Sequence, residues 1–230
     1  VNGDTFHHGS VVRWNGAKPQ ELWRVTGPGL QAVACADIDA DGVAEALLRL
    51  RASAAEVALC ASGASLEPVA MRSIGARPTS PIAVDLDADG RPEVVVNDDA
   101  GGIVALRPRR AGDTWAFEQL WRAPGRAMAN SEAQRYGLHS ADLDGDGSPE
   151  VLVGGSNDAG QAQLRALDAR GQVRWSRAFA AIDGSDPVWN QGCLTFWSVL
   201  NAGGSPAVYV SVRRNLMHSD ESYLLRGADG

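Results

Sequence analysis

Four carboxylates recur at fixed spacing in three short stretches of this 230-residue chain. They are Asp37, Asp39, Asp41 and Glu45, then Asp85, Asp87, Asp89 and Glu93, then Asp142, Asp144, Asp146 and Glu150. Acids at positions 1, 3 and 5 of a tight loop converge on one point. The glycine at position 6 (Gly42, Gly90, Gly147) permits the turn that wraps a cation. Hard oxygen donors in that number suit Ca²⁺ far better than zinc or copper. Bare Asp-Gly turns are common, but four unneutralised acids so close together would repel one another. Three calcium sites are therefore expected.

An EF-hand loop opens with the same acids, yet it needs a bidentate Glu at position 12 and a helix on either side. Position 12 is Leu48, Val96 and Val153 here, and the acid falls at position 9 each time. The flanking runs, such as Val33-Ala34-Cys35-Ala36, Pro81-Ile82-Ala83-Val84 and Val151-Leu152-Val153, are short, apolar and partly β-branched. Those are strand signals. Each motif is a strand, a loop and a second strand, which rejects the EF-hand.

The first acids lie 48 and then 57 positions apart, and a further step of 57 reaches Val199. There Val199 to Val210 matches the frame of the third copy, with Ser205-Pro206 standing where that copy has Ser148-Pro149. The acids have become Val199, Asn201, Gly203 and Ala207, so this unit is expected to keep a turn without a metal. A second marker also recurs on a later strand of each unit: Trp23, Met71, Trp121 and Trp175. Each period then holds about four short strands, the signature of a β-propeller blade.

With these motifs the chain resembles the FG-GAP (VCBS) repeat family of integrin-alpha-like, calcium-binding β-propellers. The resemblance implies an all-β fold of four-stranded blades, with calcium in the turn between the first two strands of a blade. It implies as ligands the twelve acids above and the position-7 carbonyls of Val43, Arg91 and Ser148. The units read as 1–30 (end of a preceding blade), 31–78, 79–129 and 130–186 (blades with calcium loops), and 187–230 (a blade with a degenerate loop, incomplete). About four blades' worth of chain is too little for the family's ring of about seven. The sequence therefore reads as a fragment, to be completed by the remaining blades of a parent chain.

Composition bounds the partners. Three divalent ions would bring the formal charge of −7 to −1, so the acidity is ligand charge rather than a cation-seeking surface. No basic cluster alternates with aromatics, which argues against nucleic acid, and no run is long or apolar enough to insert into a membrane. Calcium loops of this type suit an extracellular, cell-surface or periplasmic setting. Cys35, Cys60 and Cys193 have no metal-ligand spacing and read as small buried residues, with a Cys35–Cys60 bridge as the alternative.

Function is expected where the loops are longest. Marker to motif spans 14 positions twice, then 21 (Trp121 to Asp142) and 24 (Trp175 to Val199). The extra residues and neighbouring turns supply Arg135, Tyr136, His139, Trp189, Asn190, Arg213, Arg214 and His218 as candidate ligand contacts. Arginine for carboxylates and exposed aromatics for sugar faces suit a glycan, especially an acidic one. The leading reading is an extracellular binding or adhesion module for glycans or protein partners. The alternative is part of a polysaccharide lyase, since rhamnogalacturonan lyases of polysaccharide lyase family 11 look similar. A lyase needs a base beside an acidic sugar and a cation to neutralise it, and His139 or His218 with Arg135 or Arg213 would supply them.

Overall fold

The computed structural model describes residues 7–14, 16–27, 32–40, 42, 44–51, 55–60, 68–75, 81–97, 102–112, 114–127, 137–157, 161–179, 193–202, 205–213 and 220–230. Every regular element among them is a β-strand, and neighbouring strands pair antiparallel. Strands β1 (His7–Trp14) and β2 (Pro19–Gly27) form a hairpin. The first full sheet is β3 (Ala32–Ala36), β4 (Glu45–Arg51), β5 (Ala55–Cys60) and β6 (Pro68–Gly75), paired in chain order. The second repeats that order with β7 (Ile82–Val84), β8 (Glu93–Asn97), β9 (Gly102–Ala111) and β10 (Thr114–Pro124).

The third sheet comprises β11 (Arg126–Ala127), β12 (Leu138–Ala141), β13 (Glu150–Ser156), β14 (Ala162–Leu167) and β15 (Val173–Ala178). Both β11 and β12 pair with β13, so together they form one interrupted first strand. The fourth sheet has three strands, β16 (Cys193–Ala202), β17 (Ser205–Arg213) and β18 (Asp220–Arg226). The all-β, four-stranded architecture expected from the repeat is therefore present as blade-like sheets.

The sheets stack in series, and alternation along each strand explains how. Side chains on a strand point to opposite faces in turn. Val94 and Val96 pack with Ile38 and Leu47 of the first sheet, while Val95 packs with Val151 and Val153 of the third. Leu152 then turns the other way, onto Val208, Val210 and Leu225 of the fourth. Both faces of β8 are covered, so all five of its residues are buried and its sequence shows no polar alternation. Three apolar cores between four sheets hold the stack together.

Two tryptophans repeat one tie across these cores. Trp121 on β10 donates its Nε1–H to the Ala169 carbonyl of the third sheet at 2.9 Å, and Trp175 on β15 donates to the Gly227 carbonyl of the fourth at 2.9 Å. Each ring lies where a side chain would otherwise stand. A Cβ at Gly171 would meet Trp121 at 2.6 Å, and one at Gly230 would meet Trp175 at 3.0 Å. At Trp121 and Trp175 the strand marker read from sequence is thus a lock between consecutive sheets.

Three sequence expectations change. The added residues of the third unit fall inside its first strand, between Ala127 and Leu138, rather than ahead of it. β10 passes to β11 through Gly125 alone, whose φ of +140° lies under the Arg165 guanidinium. Arg165 donates to the Pro124 carbonyl there, and burial pushes its pKa down. Cys35 is exposed and free rather than buried. It also cannot bridge Cys60, because the two flank Ala46 on opposite sides of β4. Two strand spacings make about 9.6 Å, beyond the roughly 7 Å limit between bridged Cα atoms. The fourth unit, by contrast, keeps its turn as the sequence implied. Ala202 pairs with Ser205, which closes a hairpin over two residues.

Candidate metal centres in the acidic loops

Each acidic loop joins the first and second strands of its sheet, and the position-9 glutamate opens the second strand. Ala36 pairs with Glu45, Val84 with Glu93 and Ala141 with Glu150. These glutamates are buried, at 5%, 0% and 3% exposure. Each accepts the position-2 backbone N–H on Oε2: Ile38 at 2.8 Å, Leu86 at 2.9 Å and Leu143 at 2.8 Å. The side chains of Ile38, Leu86 and Leu143 are themselves buried, each in the core that faces the following sheet. One residue pair therefore clamps the loop and anchors it in the apolar interior.

The first aspartate folds the loop. Its Oδ2 accepts the position-6 glycine N–H at 2.8 Å from Gly42, 2.8 Å from Gly90 and 3.0 Å from Gly147. The position-5 acid accepts the position-7 N–H, Asp89 from Arg91 and Asp146 from Ser148, both at 2.8 Å. Position 6 is left-handed in all three loops, with φ of 82° to 90°. Position 4 is left-handed as well, and here the copies differ: Ala40 and Ala88 hold φ of 59° and 57°, where the third loop has Gly145. A left-handed alanine costs about 1–2 kcal/mol, which is a local strain that spacing alone does not reveal.

These bonds gather the carboxylates. Oxygens of Asp37, Asp39 and Glu45 lie within 4.8 Å of one another, as do those of Asp85, Asp87 and Glu93, and those of Asp142, Asp144 and Asp146. Carboxylate oxygens at such spacing, next to loop carbonyls, form a donor set for a hard divalent ion. One atom fits that test directly. Among the described residues, Asp39 Oδ1 is buried with no hydrogen-bond partner, and a buried acceptor without a donor is costly unless a cation satisfies it.

Arginines from other strands meet the same acids, a feature the motif spacing could not show. Arg107 on β9 bridges Glu93 Oε1, at 2.7 Å, and Asp87. Arg174 on β15 bridges Glu150 and Asp144. Arg110 reaches from the second sheet to Asp39 of the first loop at 3.1 Å. The electrostatic result differs between loops. Burial raises the Glu93 pKa above its ordinary value, although the Leu86 N–H and Arg107 pull it back. Hydrogen bonding from Arg174 lowers that of Asp144.

The candidate ligand residues read from sequence are only partly placed. His139 sits on β12, exposed, with Nδ1 2.9 Å from the Ser140 carbonyl. Arg213 ends β17, paired with Cys193 and Asp220. Arg135, Tyr136, Trp189, Asn190, Arg214 and His218 lie outside the described residues, as do Asp41 and Val43 of the first loop. Asn157 closes its own turn, exchanging side-chain and backbone bonds with Gln161.

Comparison with known families agrees with the loop geometry. Residues 85–153, which span the second and third acidic loops and the strands around them, match the FG-GAP-like repeat. No curated protein matches the chain.

Proposed function

We propose that this chain is part of a calcium-stabilised β-propeller that serves as an extracellular binding module for a glycan or a protein partner. The FG-GAP-like repeat at 85–153 supports a propeller-type binding module. The observation that carries the calcium reading is the threefold recurrence of one loop network, with Asp39 Oδ1 buried and, among the described residues, unpartnered in the first copy. In each loop the position-1, -3 and -5 aspartates and the position-9 glutamate would hold the ion, with the carbonyl of Val43, Arg91 or Ser148. A bound ion neutralises the acids there and ties the end of the first strand to the start of the second.

Calorimetry on EDTA-stripped protein should then show about three calcium sites and a clear rise in Tm on calcium addition. One site or none sinks the metal reading. The described candidate base, His139, sets Nδ1 against its neighbour's carbonyl. That contact orients an imidazole without deciding between binding and lyase chemistry, so the products of the reaction decide. Retention of acidic glycans without turnover supports the module. Release of unsaturated products absorbing in the near ultraviolet would replace it with a lyase.

A further inference from the structure

The outer hairpin of the second sheet overhangs the acidic loops. Strands β9 and β10 run for 10 and 11 residues, against 6 each for their counterparts β14 and β15. The added length carries Arg107, Arg109, Arg110 and Trp115 above the first and second loops, where they line a cleft of about 430 Å³. That volume falls within the range of about 300–1,000 Å³ typical of small-ligand pockets. Arg91, at position 7 of the second loop, adds a fourth guanidinium to the lining, against one aspartate from each loop. Among the described residues of the lining, four guanidiniums face two aspartates; Arg107 is paired with Asp87 and Glu93, Arg109 with Glu118 and Arg110 with Asp39.

We propose that this cleft binds the carboxylate of an acidic sugar, and that calcium in the first two loops releases the arginines that hold it. The inference rests on the calcium reading above. Arg107 pairs with Asp87 and Glu93, and Arg110 with Asp39. Those three acids belong to the carboxylate groups on which a loop cation draws. Arg107 occupies Glu93 Oε1 and Asp87 Oδ2. Arg110 holds Asp39 Oδ2 beside Oδ1, unpartnered among the described residues, so an ion that engages Asp39 through both oxygens displaces it. A divalent ion competes for them with twice the charge of a guanidinium. Once the ion holds the carboxylates, two arginine forks are left without their counter-ions in the wall of a cleft.

The released donors are in place for a new anion. Arg110 lies over the Trp115 ring at 5.7 Å, so the aromatic face holds its guanidinium when Asp39 lets go. A planar guanidinium meets a planar carboxylate through two parallel hydrogen bonds, which a point charge cannot do. Pro92, Pro108 and Trp115 give the same cleft apolar walls, against which the face of a pyranose ring can lie. Linkage then requires reciprocity: calcium raises the affinity for the sugar acid, and the sugar acid raises the affinity for calcium by the same factor.

The test is calorimetric titration of the full chain with trigalacturonic acid, in saturating calcium and in EDTA. Calcium should strengthen binding by about tenfold or more, and the fully methyl-esterified trisaccharide should not bind. Arg110→Gln, at a half-exposed position, should weaken the uronate by about tenfold while the calcium titration persists, with an unchanged circular dichroism spectrum showing that the fold is kept. Arg107→Gln should do the same and tighten calcium in the second loop, because a competing cation is gone. Equal uronate affinity with and without calcium, or no effect of either substitution, overturns the proposal. Equal binding of a sulfated trisaccharide would overturn its assignment to a carboxylate. A chain that binds calcium but no uronate refutes the cleft alone, whereas a chain that binds no calcium refutes the metal reading with it.

Discussion

The third acidic loop and the hairpin turn of the fourth sheet stand at equivalent places in consecutive sheets and close the same strand pair by different chemistry. Between Asp142 and Glu150, side-chain carboxylates accept the backbone N–H groups of Leu143, Gly145, Asp146, Gly147 and Ser148. Between Val199 and Ala207 no acid is present, and the backbone groups pair across the hairpin instead, Val199 with Val208 and Ala202 with Ser205. Backbone donors need partners in either case. A loop that uses acids to satisfy them gathers negative charge, which an ion or an arginine must offset. The hairpin needs neither. The acidic loop is therefore a conditional structure and the hairpin an unconditional one.

The sharpest way to break this comparison is to remove a clamp. Glu93→Ala deletes the acceptor of the Leu86 N–H and leaves Arg107 facing Asp87 alone. Breaking a buried charge pair by removing one partner costs about 3–5 kcal/mol, and Glu93 is fully buried. Urea unfolding should register that loss. Ala207, at the same frame position in the fourth unit, has no such role, and Ala207→Gly should cost about 1 kcal/mol or less, as glycine does within a strand. Equal losses at the two sites would erase the distinction.

Much of this contrast was legible in the sequence, and the limits have physical causes. Acid spacing and glycine at position 6 are local, so the three loops and the copy without acids could be read by eye. Strand pairing is not local. The spacing from Trp121 to Asp142 suggested a long loop ahead of the third sheet, because nothing marks Arg126–Ala127 as already paired with β13. The arginines were hidden for the same reason: Arg107 and Arg174 stand 14 and 24 residues from the glutamates they bind. The tryptophans were visible as markers, yet their partners Ala169 and Gly227 belong to the next sheet.

If the fourth sheet relies on no ion, its hold on the molecule must come through packing. Trp175 is nearly buried among Val208, Val210 and Leu225, and its Nε1–H reaches Gly227. Truncation of a core tryptophan costs about 3–5 kcal/mol. Trp175→Ala should release β16–β18 first, seen as early hydrogen exchange in those strands while the loops at 85–93 and 142–150 stay protected. Uniform loss of protection would show instead that loops and hairpin share one cooperative unit.

Acid titration separates the second loop from the third. A carboxyl whose folded pKa lies above its unfolded value binds protons on folding. Glu93, raised above 4.5 by burial, therefore contributes more to stability as pH falls from above its folded pKa towards 4.5. Asp144, lowered below 3.8 by Arg174, works in the opposite sense. Its contribution is present above 3.8 and is lost as pH drops through the folded value. Carboxyl-carbon NMR titration in EDTA should place Glu93 above and Asp144 below their ordinary values. Titration of both near those values would break the contrast between the two arginine bridges.

The smallest effect distinguishes the loops by strain alone. Ala88 holds a left-handed backbone at φ 57°, where the third loop places Gly145 at φ 79°. Relief of that strain is worth about 1–2 kcal/mol, and the greater freedom of an unfolded glycine returns about 0.5–1 kcal/mol. Ala88→Gly should therefore stabilise the chain by about 0.5–1 kcal/mol, and Gly145→Ala should destabilise it by a similar amount, both read from urea midpoints. Because the strain lies in the backbone and not in the carboxylates, the gain at Ala88 should be the same in calcium and in EDTA. A gain that appears only with calcium would mean that the left-handed turn is imposed by the ion rather than by the hydrogen bonds of Asp85.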